Sequence, residues 1–183
     1  MTFAATLAAC VPGKLPQMPD FALPAMRWDH RPEAAGWTTS TLLAVAARDD
    51  VLANRVPGDI AAWCPAYPKA PLQDRRAFWV GLLSAVAKYE SSWNPRASGG
   101  GGRYVGLMQI SPATASQYDC GGGLKDGSAN LACAVRIVAA QVGRDGVVAG
   151  RGNRGIGRDW GPFRSASKRA EMSAWTSKQS YCR

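Results

Sequence analysis

Residues 90–97 read Glu90-Ser91-Ser92-Trp93-Asn94-Pro95-Arg96-Ala97, and residues 106–115 read Gly106-Leu107-Met108-Gln109-Ile110-Ser111-Pro112-Ala113-Thr114-Ala115. The first string closes a helix. Upstream of it Phe78, Trp79, Leu82, Leu83 and Val86 recur at helical spacing, which predicts a helix from Asp74, as its cap, to about Ser92. Asn94-Pro95 ends it, because the residue before proline disfavours the helical region. Trp79, Leu83, Val86 and Glu90 follow one another at four, three and four residues, so they share one face. Glu90 therefore continues an apolar stripe at the helix's C-terminal end. Desolvation and the negative end of the helix dipole both oppose its ionisation. A carboxyl biased towards its protonated form near neutral pH is what general-acid catalysis needs. The competing reading is a solvated Glu near Lys88 or Arg96, and for a lone Glu that reading would be preferred.

The second string predicts a strand or hairpin arm over 103–110, next to the glycine run 99–102. Ser111-Pro112 then reads as cap and first-turn proline of a short helix through Tyr118. Further helices are predicted over 38–54, 128–142 and 165–176, the last with Met172 and Trp175 inward. Residues 57–73 are rich in turns, and 143–158 form a Gly- and Arg-rich loop. Pro12, Pro16, Pro19, Pro24 and Pro32 make 11–36 an extended linker. The expected division is a leader and linker at 1–36, followed by one domain at 37–183.

Composition narrows the class. Of 183 residues, 46% are hydrophobic and 19% charged, which suits a packed core and rules out wholesale disorder. No apolar stretch approaches the ~18 residues of a membrane span. Lys and Arg number 22 against 13 Asp and Glu, a net charge of +9 that favours a polyanionic partner: nucleic acid, an anionic membrane or an acidic wall polymer. The single histidine, His30, excludes a multi-His metal site or a His-centred triad elsewhere in the chain.

The cysteines are Cys10, Cys64, Cys120, Cys133 and Cys182. With no C-x-x-C pair, zinc is not expected. An odd count suggests two disulfides and one special thiol. Cys120 and Cys133 flank Gly121–Gly123, which a local bridge would close, leaving Cys64 to pair with Cys182. Sequence alone does not fix this pairing, and five reduced cysteines in a cytosolic protein are the alternative. Leu7-Ala8-Ala9-Cys10 matches a bacterial lipobox, in which the Cys is acylated. The nine residues before Cys10 carry no Lys or Arg, too few and too uncharged for a full signal peptide, so a lipobox here implies a trimmed or miscalled start. An accident of an Ala-rich leader is the competing explanation.

Together and in this order, the two strings resemble the signature of the soluble-lytic-transglycosylase (SLT) domain family: E-S-x-aromatic-N-P-x-A, then G-L-M-Q-I-x-P-x-T-A. Asp126-Gly127-Ser128-Ala129-Asn130-Leu131 looks like the family's next helix start. The resemblance covers residues 75–142 well and the remainder loosely. It implies a mainly α, lysozyme-like α+β fold, with a small β-hairpin or loop region beside the cleft. It implies cleavage of the β-1,4 bond between N-acetylmuramic acid and N-acetylglucosamine in peptidoglycan. Glu90 is carried over as the sole acid/base, Met108 and Gln109 as residues lining the sugar cleft, and Ser91 as the residue beside the acid. No cofactor is implied. The chain departs from the family in lacking its Ala-Tyr-Asn motif; Trp160, in Asp159-Trp160-Gly161-Pro162, is the candidate sugar-stacking face in its place, or else core. A glycosidase usually pairs two carboxylates, but neither string holds a second one. Asp119 and Asp126, the nearest downstream, read as loop or cap residues. The alternatives carried forward are a hydrolytic lysozyme of the same fold and a non-catalytic wall-binding module of a secretion or phage assembly.

Peptidoglycan is thus the expected partner, in a periplasmic or cell-envelope setting, with membrane anchoring through a lipid on Cys10. A monomer is expected, and nucleic acid is not. Gly150-Arg151-Gly152-Asn153-Arg154-Gly155 formally fits G-x-G-x-x-G, but no apolar strand precedes it and no amphipathic helix opens at its end. The basic loop with Arg144, Arg151, Arg154, Arg158 and Arg164 is read as solvated or facing the wall polymer.

Overall fold

The computed structural model describes residues 22–183. Five helices, α1 (Ala34–Ala46), α2 (Leu72–Ser91), α3 (Pro112–Gln117), α4 (Gly127–Asp145) and α5 (Ala166–Thr176), accompany a two-stranded antiparallel sheet of β1 (Ser98–Gly99) and β2 (Tyr104–Val105). The architecture is mainly helical with one small hairpin, as the sequence predicts. The helix α2 is its axis. From Ala77 to Ala87 every residue is buried, the pattern of a helix enclosed on all sides rather than one lying on a surface. The helices α1 and α5 pack against it, and α1 also packs against α4. Gly81 on α2 lets Tyr181 approach, since a Cβ there would stand 2.1 Å from the tyrosine hydroxyl.

Several boundaries differ from the sequence reading. The described part of the expected linker is no free spacer. Met26 and Trp28 are buried in the core, and the Trp28 indole N–H donates to Thr38 Oγ1 at 2.9 Å. Proline density forecasts the absence of helix, not the absence of packing. The helix α1 starts at Ala34 and stops at Ala46, well before residue 54. Asp49 and Asp50, which follow it, would stand at the negative end of a longer helix. Pro71, not Asp74, precedes α2; Asp74 sits in the first turn, where a carboxylate suits the dipole. Ser111 caps α3 as predicted, and Ser165, placed by the sequence reading inside the last helix, caps α5; each accepts a first-turn backbone N–H. The helix α4, capped by Asp126, continues to Asp145 and ends at Gly146, whose φ of 65° suits glycine.

That longer helix shortens the basic loop, which carboxylates then pin. Asp59 accepts the N–H groups of Val148, Ala149 and Gly150 at 2.5, 3.0 and 2.8 Å. Asp145 accepts Gly155 N–H and the Arg158 guanidinium at 2.7 Å each. These bonds hold its carboxyl well below the usual range.

Both disulfides form as the sequence reading paired them. Cys64–Cys182 spans 118 residues and Cys120–Cys133 spans 13. The long bridge ties the C-terminus to the turns before α2, a loop whose closure restricts the unfolded chain by roughly 3–5 kcal/mol in the chain-entropy account. Cys10 lies outside the described residues. Among the described residues no helix is long and apolar enough to cross a membrane, and no cluster of metal-ligating side chains occurs.

Candidate active site

Glu90 stands on the last turn of α2, half-buried at the end of the stripe formed by Trp79, Leu83 and Val86, each at most 2% exposed. Among the described residues its carboxyl makes no hydrogen bond to protein. Burial pushes it up to about 7, against the pull of Lys168 and Arg164. Those two cations are the charges that bear on it. Among the described residues no carboxylate does, neither Asp119 nor Asp126. Asp126 is spent on capping α4, its Oδ1 accepting Ala129 N–H at 2.8 Å. Asp119 is an exposed turn residue with φ of 50°.

The chain leaves α2 through two consecutive left-handed residues, Ser92 (φ 51°) and Trp93 (φ 58°), a conformation costing non-glycine residues about 1–2 kcal/mol each. Trp93 offsets this by folding back on the helix, its indole N–H donating to the Ser84 carbonyl at 2.9 Å. The reversal carries Asn94–Ala97 into the hairpin, and Ser91, the residue after the acid, bonds to the second motif.

That motif is a tight turn. Val105 and Ile110 exchange backbone hydrogen bonds at 3.1 and 3.0 Å, closing Gly106–Gln109 between them. Gly106 (φ 79°) must be glycine, because a Cβ would stand 2.2 Å from the Leu124 carbonyl. Three side chains from distant parts of the chain grip the turn's backbone. Ser91 Oγ donates to the Leu107 carbonyl at 2.8 Å. Asn130 on α4, fully buried, accepts Met108 N–H at 2.8 Å and donates to the Val105 and Leu124 carbonyls at 3.0 Å each. Trp160 donates its indole N–H to the Met108 carbonyl at 2.8 Å.

These contacts correct part of the sequence reading. Trp160 is only 3% exposed, so it offers no ring face to a sugar. Its apolar surface is worth more in the core, and its one polar atom is satisfied by the turn. Met108 is fully buried and contributes its backbone, not a cleft-lining side chain. Ser91 links the acid's helix to the turn. Within the 106–109 turn Gln109 alone stays half-buried, with φ of 48° and its amide nitrogen tied to the Gly106 carbonyl at 2.9 Å. The role of Asn130 escaped sequence reading. Its signal was a buried-face Asn inside an otherwise apolar helical run.

The helix α5 packs against the C-terminal turn of α2 through Glu171. Glu171 accepts Arg27 at 2.8 and 2.5 Å, Lys88 at 3.2 Å and the Tyr89 hydroxyl at 2.8 Å. With the Arg27 guanidinium its main cause, the Glu171 carboxyl is lowered to about 2. This cluster fixes α5 against the C-terminal turn of α2. Lys168 Nζ lies 5.2 Å over the Tyr89 ring, one residue from the acid. Arg164 donates to the Arg158 carbonyl at 2.6 Å. Beside it Asp159 accepts Gln141 Nε2 at 2.6 Å, and burial raises its carboxyl.

A mainly helical domain with one small hairpin, whose central helix ends in a half-buried Glu with its carboxyl pushed up to about 7, has the arrangement of the lysozyme-like class. Residues 70–143, which contain both motifs, match the family model for the transglycosylase SLT domain, and the match supports a transglycosylase-type activity. Among solved structures the chain is similar to DslA. A Glu-to-Gln mutant of that protein gives a TM-score of 0.80 at 25% identity, covering 88% of this chain and 100% of that one. Its wild-type form gives 0.79 at 25% with the same coverage. A different Glu-to-Gln mutant gives 0.78 at 24%. No curated protein matches the chain.

Proposed function

We propose that the protein is a peptidoglycan lytic transglycosylase that cleaves the β-1,4 bond between N-acetylmuramic acid and N-acetylglucosamine, with Glu90 as its sole acid and base. The observation that carries this reading is the isolation of Glu90: raised by burial, with cations and, among the described residues, no carboxylate acting on it. Paired-carboxylate hydrolysis needs a second acid across the bond. A single acid suffices when the substrate supplies the remaining groups. Glu90 protonates the glycosidic oxygen as the bond from C1 to that oxygen breaks. The muramyl N-acetyl oxygen stabilises the developing cation at C1. Glu90, now a carboxylate, takes the proton of the same sugar's C6 hydroxyl, whose oxygen bonds to C1. Glu90 is thereby reprotonated, and no water is consumed.

In this account the turn 106–109 is the floor on which the sugar rests, with Gln109 its one side chain able to reach a glycan. Ser91, Asn130 and Trp160 hold it in register with the acid. Digestion of purified sacculi should release muropeptides ending in 1,6-anhydromuramic acid, lighter by one water than a lysozyme product and inert to borohydride. Reducible muramic acid ends would transfer the protein to the hydrolase class while leaving Glu90 as the acid.

Action on the wall places the protein in the cell envelope, and we carry Cys10 forward as the point of lipid attachment, with 1–36 as leader and tether and 37–183 as the catalytic unit. The packing of residues 26–36 on the domain shortens the free part of that tether. Expressed from its native start, the chain should incorporate labelled palmitate, and Cys10→Ala should move it out of the membrane fraction. An unlabelled, membrane-free wild type would contradict the anchor and leave the catalytic reading intact.

A further inference from the structure

The turn at Asn94-Pro95 borders a concavity of about 440 Å³, walled by three stretches of chain within 31–37, 94–96 and 125–127. Separate contacts hold these stretches together. The His30 ring meets that of Trp93 edge to face at 4.6 Å, joining the segment before α1 to the first motif. Gly127 opens α4 against Trp37, since a Cβ there would stand 2.2 Å from the indole Nε1. Asn94 Oδ1 accepts the Arg96 N–H at 2.9 Å and fixes the turn that carries Arg96. The polar atoms of this wall lack acceptors. Trp37 is only 4% exposed. The indoles of Trp28, Trp79, Trp93 and Trp160 each donate to a protein oxygen, whereas that of Trp37 has no such acceptor among the described residues. Arg31 Nε is buried and has no hydrogen-bond partner. Glu33 Oε2 lies 3.7 Å from it, beyond hydrogen-bond reach. Arg96 and Lys125 line the same space, both exposed, and among the described residues neither makes a salt bridge. Asp126, also in the wall, spends Oδ1 on the Ala129 N–H.

We infer that this concavity binds the terminal carboxylate of a peptide. An indole N–H and a guanidinium N–H are donors only, so the ligand must bring acceptors. Bonds from charged donors favour an anionic one. The carboxylate oxygens take the Trp37 N–H and the Arg31 Nε–H, while Arg96 and Lys125 add positive charge at the open side. The N-terminal end of α4, a helix of 19 residues whose first residue is Gly127, adds a field of the same sign. A lone inorganic anion would leave most of the space unfilled. The volume suits a small organic ligand, so the carboxylate arrives with a residue or two of peptide attached. Peptides with free carboxylates are what the proposed substrate carries on its muramyl sugars. The ligand's identity therefore rests on that reading and deepens it: the strand is held by its stem as well as by its glycan.

The test uses the full chain with ¹⁵N in its indoles, which gives one N–H signal for each of the seven tryptophans. Trp37→Phe identifies the signal of Trp37. The probes are acetyl-Lys-D-Ala-D-Ala, the same peptide as its C-terminal amide, and inorganic phosphate. The free acid should shift the Trp37 signal saturably. The amide should bind about tenfold more weakly, the scale of losing a hydrogen bond to a charged group. Arg31→Gln should weaken the free acid by a similar factor, with thermal melting to verify folding. Lys125→Gln, at an exposed position, should weaken it less, and it decides the matter if Arg31→Gln does not fold. An unmoved Trp37 signal would overturn the inference, because solvent would then satisfy the donors. Equal binding of acid and amide would overturn it too, as would a saturable response to phosphate alone. The reaction is judged separately. Anhydro ends with a silent Trp37 would remove the site and keep the transglycosylase, and reducible ends with a responding Trp37 would do the reverse.

Discussion

Glu90→Gln should lower turnover on peptidoglycan by at least ~10²–10⁴-fold, the contribution typical of a positioned acid or base. The substitution keeps the shape of the side chain and removes its transferable proton. Because Glu90 both gives and takes the proton, no pH should rescue the variant, whereas an enzyme with separate acid and base would recover one limb of its profile. Stability moves the other way. Glu90 is raised from 4.5 to about 7 in the folded protein, so between those values the native state holds a proton that the unfolded chain has lost. Native stability therefore falls as pH rises through this window, by up to about 3 kcal/mol at 1.36 kcal/mol per pKa unit. Glu90→Gln should match the wild type in denaturant titrations near pH 4 and exceed it at pH 8. Full activity in this variant would overturn the assignment of the acid.

Asn130→Ala should be the most damaging change away from the acid. The side chain is fully buried and satisfies three backbone groups at once: Met108 N–H, Val105 C=O and Leu124 C=O. Alanine would leave all three without a partner inside the fold, at about 1–3 kcal/mol for each buried group left unsatisfied. Relaxation and water entry bring the expected total to roughly 3–5 kcal/mol. Activity should fall with stability, and kcat should suffer more than KM, because the turn that faces Glu90 loses its register. Trp160→Phe removes a single hydrogen bond to the same turn, so its loss in denaturant titrations should be about 1–2 kcal/mol. Equal and small effects from both substitutions would show that the turn holds its shape by backbone pairing alone.

What could be read from the sequence was local. The stripe ending at Glu90 depends on spacing within one helix, and the cap at Ser111 depends on residues within one turn. The disulfides were paired from a glycine-rich gap and from elimination. What was misread depended on partners far away in the chain. Trp160 is an aromatic residue in a polar loop, and sequence does not show that a carbonyl of the 106–109 turn awaits its N–H. Met108 sits inside a motif associated with sugars, yet burial gives it to the core. The prolines before residue 36 hid the fact that Met26 and Trp28 complete that core. Lys168 reaches the ring of Tyr89, next to Glu90, only because α5 folds back on α2, a contact that no periodicity announces.

The central claim is that one carboxyl acts with the substrate's own hydroxyl and that no water enters the bond. Digestion of sacculi in ¹⁸O-enriched water, followed by mass spectrometry of the new muramyl ends, tests it most directly. The account predicts 1,6-anhydro ends carrying no ¹⁸O. One ¹⁸O atom at C1 of each new end would contradict it, because a water molecule would then have done what the C6 hydroxyl is claimed to do.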